Sequence, residues 1–432
     1  MSPSWHGVLE GFYGPPYDDA ARLDLVRWLP SVGGRDYVYA PKDDPWQRAR
    51  WRDPYPADRT AHFQELLAVA AEAGVRLGFV ISPGLDWQPG DEAALTAKMR
   101  AFYDLGARCL GIAFDDVAPG GAELGRVHGA AVAAAASALP DDVIWSACPV
   151  DYGTDRVTSY LRAFSDALPS DADLFWTGPS VLSAEVPTET ATDLSSQLGR
   201  RLVLADNFPV SDGAMSGVLH LGPYPDRPRD LPATVGGLLL NLGPLPVASR
   251  LPAAAALRWW SAPGRDRTEV WEEELADLPG LAPLARACRS WLCDPGPDDE
   301  LLDWARAALD GDTRLEQWFA AGCRDALPPQ WVADLEPWLQ AWEWHAMAVP
   351  LLLASLRTAD GPGGAFTVAE VWRRGLAMER QLFGIRWAYY PLTLRDGDGD
   401  GERADPRGLV RGDTLLDTLC REALGRLTGE LP

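Results

Sequence analysis

A (β/α)8 TIM barrel over residues 1–265, followed by an all-helical domain over 266–432, is the architecture the sequence predicts. Eight short apolar runs alternate with amphipathic stretches through about residue 265, the pattern of repeated βα units on a parallel sheet. That part has the length typical of such barrels, roughly 250 residues. Beyond it strand-like runs cease while helical spacing persists.

Taken in order, the first strand is expected in HGVLEGFYG (6–14), with the helical stretch DDAARLDLVRWL after it. DYVYAPK (36–42) and RLGFVISPG (76–84) follow, separated by TAHFQELLAVAAEAG, whose apolar residues recur at three-to-four spacing. DEAALTAKMRAFYDLG leads to the fourth strand, CLGIAFDDV (109–117). The remaining strands are expected in VIWSACPV (143–150), DLFWTGP (173–179), RLVLADNFP (201–209) and VGGLLLNLG (235–243). The seventh linker has a weak helical pattern. An open doubly wound sheet is the alternative, but no GxGxxG turn follows the first strand to support it. In the tail, Trp338, Trp342 and His345 share one helical face and are expected in a core. The run DGDGDGE (396–402) begins like a calcium-binding loop, yet Arg407 stands where a bidentate Glu belongs, so a solvated loop is expected.

Composition excludes several functions. With 47% hydrophobic residues the chain can build a large core, and a net charge of −23 disfavours nucleic acid and anionic membranes. No apolar run approaches the roughly 18 residues of a membrane span, and MSPSWHGVLEG lacks the pattern of a signal peptide, so a cytoplasmic protein is expected. The six cysteines lack CxxC spacing and suit free thiols, and no two histidines occur at ligand spacing; neither metal nor cofactor is expected. Among 39 basic residues only Lys42 and Lys98 are lysine, which makes each conspicuous.

In this barrel type the chemistry lies at the C-terminal ends of the strands. Those ends are polar throughout: Glu10, Gly11 and Tyr13 after the first; Lys42, Asp43 and Asp44 after the second; Asp115 and Asp116 after the fourth; Tyr152 after the fifth; Thr177 after the sixth; Asp206, Asn207 and Asp212 after the seventh; Asn241 in the eighth. Neutral hydrogen-bonding groups, one lysine, aromatic rings and carboxylates suit a sugar, whose hydroxyls need polar partners and whose CH face needs an apolar wall. Asp115 and Asp116 are adjacent like charges, so ionising one is expected to push its neighbour's pKa upward and keep a proton for general-acid catalysis near neutral pH. Consecutive strand residues point to opposite faces, so both reach one cavity only if the strand ends or bulges there. Neighbouring acids of this kind suit glycosidases in which the substrate's own 2-acetamido oxygen is the nucleophile.

The stretches GVLEGFYGPPY, YVYAPKDDPWQRARWRDPYP, ISPGLD, FDDV, CPVDY, WTGP, ADN and LGPY, in order from about residue 6 to 245, resemble the family 84 glycoside hydrolases, the O-GlcNAcase and bacterial β-N-acetylglucosaminidase group. The resemblance implies retaining, exo-acting hydrolysis of a terminal β-linked N-acetylglucosamine through an oxazoline, on a glycoside or glycoprotein. It implies that Asp115 polarises the acetamido group and that Asp116 is the acid and base. Gly11, Lys42, Tyr152, Thr177, Asn207, Asp212 and Asn241 would bind the sugar. Ala205 stands where many members carry tryptophan, a departure that bears on the acetamide pocket and that a nearby tryptophan could offset. The alternatives are an endo-acting hyaluronidase, which the acidic chain disfavours, and a non-catalytic glycan-binding protein, which would gain nothing from paired acids. The helical domain is a candidate homodimerisation module.

Overall fold

The computed structural model describes residues 4–320, 322–358, 362–389, 409–411 and 413–428. Eight parallel strands close into a barrel in sequence order: β1 (Trp5–Glu10), β2 (Asp36–Tyr39), β3 (Arg76–Ile81), β4 (Cys109–Ala113), β5 (Ile144–Cys148), β6 (Asp173–Trp176), β7 (Leu202–Asp206) and β8 (Gly237–Asn241). Closure pairs β1 with β8, from Trp5 beside Gly237 to Leu9 beside Asn241. Each strand is shorter than its apolar run in the sequence, because the polar residues that follow it leave the ladder for the loops.

Seven helices of nine residues or more surround the strands: α1 (Asp19–Trp28), α2 (Ala57–Ala73), α3 (Glu92–Asp104), α4 (Ala122–Ser137), α5 (Ser159–Ala167), α6 (Thr188–Leu198) and α8 (Arg250–Ser261). The weak seventh linker yields α7 (Leu231–Thr234), a single turn. Side chains start several of them: Asp18 accepts the N–H of Ala21 at α1, and Thr158 that of Leu161 at α5. Gly74, at φ +68°, ends α2.

Strand residues sort by parity. Trp5, Val38, Ala40, Val80, Cys109, Ala113, Phe175, Val203, Ala205 and Leu239 pack with one another inside the barrel. Their chain neighbours, among them Tyr37, Tyr39, Phe79, Ile112, Leu174, Leu204 and Leu240, pack against the helices. At the bottom, the Trp5 indole N–H donates to Asp173 at 2.7 Å, and Arg201 pairs with the same carboxylate.

Parity corrects part of the expected polar mouth. Glu10 and Asp206 face the helix layer, away from the cavity, and Asp44 is drawn into the same layer. Glu10 is bound by Arg22 (2.8 Å), the Tyr37 hydroxyl and the Tyr17 N–H; both ionic side chains are fully buried. Asp206 is bound by Arg227 and the Tyr224 hydroxyl, and Asp44 by the hydroxyls of Tyr39 and Tyr55.

After the barrel come α9 (Arg267–Ala276), α10 (Ala282–Ala287), α11 (Asp299–Leu309), α12 (Arg314–Ala320), α13 (Pro329–Thr358), α14 (Pro362–Leu376) and α15 (Leu415–Thr428). Strands do not vanish here: β9 (Trp387–Tyr389) and β10 (Leu409–Arg411) form an antiparallel ribbon, too short to leave an apolar run in the sequence. Trp338, Trp342 and His345 are core residues, and the DGDGDGE run lies outside the described residues. This core continues into the barrel through Leu219, Leu221, Leu251 and Ala255. The Trp271 indole donates to the Leu221 carbonyl at 2.6 Å. All six cysteines are free, and no helix among the described residues is long and apolar enough to cross a membrane.

Arg22→Met would leave the Glu10 carboxylate buried without its counter-ion, so a loss of about 3–5 kcal/mol is expected in denaturant unfolding. A loss under about 1 kcal/mol would mean that Tyr37 and Tyr17 alone suffice for Glu10.

Candidate active site

The strands that turn Ala40, Ala113 and Ala205 inward place the residues two further on, Lys42, Asp115 and Asn207, at the C-terminal mouth. They line a cavity of about 330 Å³ together with Gly11, Tyr13, Asp116, Tyr152, Thr177, Asp212 and Asn241. All nine expected site residues are therefore brought together.

Asp115 keeps the inward parity of β4; Asp116 does not. The strand ends at Ala113, and Asp116 takes a left-handed backbone at φ +55°, which turns its side chain back to the cavity. Asp tolerates this region better than most residues, since its short side chain bonds locally. The two carboxyls then have separate partners. Asp115 is ion-paired with Lys42 and faces the Ser82 hydroxyl at 3.5 Å. Asp116 accepts hydroxyl protons from Tyr152 at 2.6 Å and Tyr13 at 2.7 Å. Arg48 donates to the Tyr13 hydroxyl and, at 3.4 Å, to the carbonyl of Asp116, so it ties the backbone of the turn to the phenol that binds the Asp116 carboxyl.

The expected upward shift of an acid beside its neighbour is not what these partners produce. Burial raises the Asp116 pKa, but the charge of Lys42, the hydroxyls of Tyr152 and Tyr13 and the charge of Arg48 outweigh it, and the net shift is downward. With these partners Asp116 is an ionised acceptor. Asp212 moves the other way: burial and the charges of Asp116 and Asp43 raise its pKa, against the Tyr13 N–H it accepts at 2.6 Å.

The amides form a chain along the opposite wall. Asn241 accepts the Gly11 N–H at 3.1 Å and donates to Asn207 at 2.8 Å, which donates in turn to the Val181 carbonyl at 2.7 Å. Each amide retains a free N–H for a ligand. A Cβ at Gly11 would lie 3.0 Å from the Asn241 oxygen, so glycine permits this approach. Thr177 lines the cavity, but its hydroxyl donates to the Ser180 carbonyl at 2.7 Å, which leaves it an acceptor toward a ligand. Ala205 is in the floor, and Trp176 lines the wall with its indole N–H bound to the Thr154 carbonyl.

Arg48 and Ser82 are not among the expected site residues. Ser82 lies two residues beyond inward-facing Val80, so counting β3 by twos finds it. Arg48 sits in the irregular β2–α2 loop, where no periodicity marks it, and Tyr13 is placed by its pairing with Asp116, 103 residues away.

A family model described as beta-N-acetylglucosaminidase matches residues 6–290. Protein O-GlcNAcase of Rattus norvegicus is 31% identical over 252 residues, which is 54% of this chain. The Mus musculus protein of the same name is 30% identical over 252 residues. The chain spans 27% of the length of each of these curated relatives. A mutant O-GlcNAc hydrolase of Thermobaculum terrenum aligns over 100% of this chain and 96% of its own, with a TM-score of 0.82 and 22% identity, a likeness of fold.

Tyr152→Phe removes a donor that favours the charged form of Asp116, so the carboxyl is expected to titrate at higher pH than in the parent. Carbon-13 NMR of labelled aspartate reads this directly. A midpoint that stays in place or falls would contradict the role given to the Tyr152 hydroxyl.

Proposed function

Because the chain belongs to the beta-N-acetylglucosaminidase family, family 84 of the glycoside hydrolases, we propose that it is a retaining exo-β-N-acetylglucosaminidase that removes terminal β-linked N-acetylglucosamine with help from the substrate's own amide. One observation carries the mechanism. Two consecutive carboxyls enter one cavity with different partners, Asp115 on a lysine and Asp116 on two phenols.

In this reading Asp115, held by Lys42 and Ser82, accepts the acetamido N–H and turns the carbonyl oxygen toward the anomeric carbon. That oxygen bonds to the carbon as the glycosidic C–O bond breaks, giving a protonated oxazoline (oxazolinium) whose N–H stays hydrogen-bonded to Asp115, and Asp116 delivers a proton to the departing oxygen. Water then attacks the same carbon, gives its proton to Asp116 and opens the ring with retention.

Asp116 must be protonated for the first step, although its protein partners favour the anion. A bound sugar supplies the change by excluding water, which raises the proton affinity of a carboxylate. Asn207, Asn241, Asp212 and the Gly11 backbone are assigned to the hydroxyls and amide. Lys42 orients Asp115, Tyr152 is assigned to the acetamido group while its hydroxyl holds Asp116, and Thr177 offers an acceptor. Residues 1–265 are assigned as the catalytic unit and 266–432 as a helical unit that braces the 217–222 loop: Leu221 donates its N–H to the Cys288 carbonyl and Gln381 its N–H to the Gly217 carbonyl, both at 2.9 Å.

Asp115→Ala and Asp116→Ala are each expected to lower kcat for a natural glycoside by about 10²–10⁴-fold. An aryl glycoside with an acidic leaving group should restore much of the loss in Asp116→Ala, since that leaving group needs little protonation, and less in Asp115→Ala. The decisive comparison is an aryl β-N-acetylglucosaminide against the matching β-glucoside. Equal turnover of the two would end the amide-assisted mechanism.

A further inference from the structure

The helix layer around the barrel has a gap. α1 packs along α2 and α3 along α4, but α2 and α3 barely touch, and a cavity of about 360 Å³ lies between them. It shares no lining residue with the barrel mouth. Tyr55, Phe63 and Phe102 form its apolar wall, and it opens to solvent past Ala97 and Ala101, both exposed on α3. Into this apolar space the sequence puts Lys98, one of two lysines among 39 basic residues and only 5% exposed. Its ammonium donates to the Asp53 carbonyl and lies 4.2 Å from the centroid of the Tyr55 ring. No carboxylate pairs with it among the described residues: Asp44 is bound by the hydroxyls of Tyr39 and Tyr55, and Asp53 pairs with Arg50. The other cation of the lining, Arg52, is paired with Asp86 and Asp91. Burial lowers the Lys98 pKa to about 8, against the charges of Asp44 and Asp53. A buried cation without a counter-ion is costly; the ring offsets part of its charge, and the carbonyl satisfies one of its three N–H groups.

From this arrangement we infer that the cavity between α2 and α3 is a binding site for a small amphipathic carboxylate, whose anionic end pairs with Lys98 and whose apolar body lies against Phe63 and Phe102. Charge and wall together select that class. A neutral apolar molecule would fill the space but leave the ammonium without a counter-ion. A cation would meet like charge. A small inorganic anion would gain the ion pair but leave the aromatic wall in contact with water, where burial of apolar surface supplies most of the affinity of such sites. The volume falls in the range of about 300–1,000 Å³ common to small-molecule pockets. A bound carboxylate also favours the charged form of the lysine, opposing the downward shift that burial imposes. The site lies apart from the paired acids, and its test does not depend on the reaction assigned to them.

The test uses the full chain carrying ε-carbon-13 lysine, in which Lys42 and Lys98 supply the lysine side-chain signals. The signal missing from Lys98→Met belongs to Lys98. Octanoate is expected to move that signal and to raise its pH midpoint, because a bound anion favours the ammonium. By calorimetry, octan-1-ol and octylamine, which share the chain but lack the anion, are expected to bind at least about tenfold more weakly, and Lys98→Met is expected to weaken octanoate by a similar factor. If the methionine variant does not fold, Ala101→Leu narrows the entrance from an exposed position and is expected to produce the same loss. Octanoate that leaves the Lys98 signal in place, or octan-1-ol that binds as tightly as octanoate, would overturn the inference. A shift confined to Lys42 would place the carboxylate at the barrel mouth and overturn it equally.

Discussion

In a closed eight-stranded barrel no strand has a free edge, and every strand residue must face either the axis or the helices. The remaining features of this molecule follow from that binary choice. It carries Lys42, Asp115 and Asn207 to the mouth because they continue the inward series of β2, β4 and β7. It sends Glu10 and Asp206 outward, where each meets a buried arginine. Asp116 belongs by count to the outer face, and one residue in left-handed conformation returns it to the cavity. The second acid is therefore a property of a turn, and Arg48 holds that turn at the Tyr13 hydroxyl and the Asp116 carbonyl.

The electrostatics are local despite the charge of −23 on the whole chain. Outside the cavity, buried Glu10 and Asp206 are neutralised by arginine and Asp44 is bonded by phenols, and burying such groups unpaired would cost several kcal/mol each. Within the cavity, Lys42 alone among the described lining residues is cationic, and it pairs with Asp115. Its charge also reaches Asp116 and, with two tyrosine hydroxyls and Arg48, reverses the upward shift that burial would impose. Adjacent like charges raise one another's pKa when nothing else is near; here two cations and two hydroxyl donors outweigh that effect at Asp116.

Elements beyond residue 265 contribute to the mouth through the loop between β7 and β8. That loop carries Asp212 and Met215 into the cavity lining and is then tied down at Gly217, His220 and Leu221 by hydrogen bonds to Gln381, Ser290, Cys288 and Trp271. Gly222 passes so close to the Arg289 carbonyl that a Cβ would lie 2.3 Å from its oxygen. The segment presenting Asp212 is thus shaped from both sides, by the barrel and by the helical core.

The eight βα units, the weak seventh linker and the polar strand ends were legible in the sequence, since strand and helix periodicities are written within a few residues, and it was the resemblance to family 84 that picked the nine site residues from those ends. Counting by twos would also have separated Glu10 and Asp206 from the site and added Ser82. What the tertiary structure alone decided is which distant groups meet: Arg48 with Tyr13 and Asp116, Arg22 with Glu10, and the helical core with the 217–222 loop. It decided as well the backbone sign at Asp116 and the direction of its pKa shift. Such features depend on closure of the barrel across a hundred or more residues, and no local spacing encodes them.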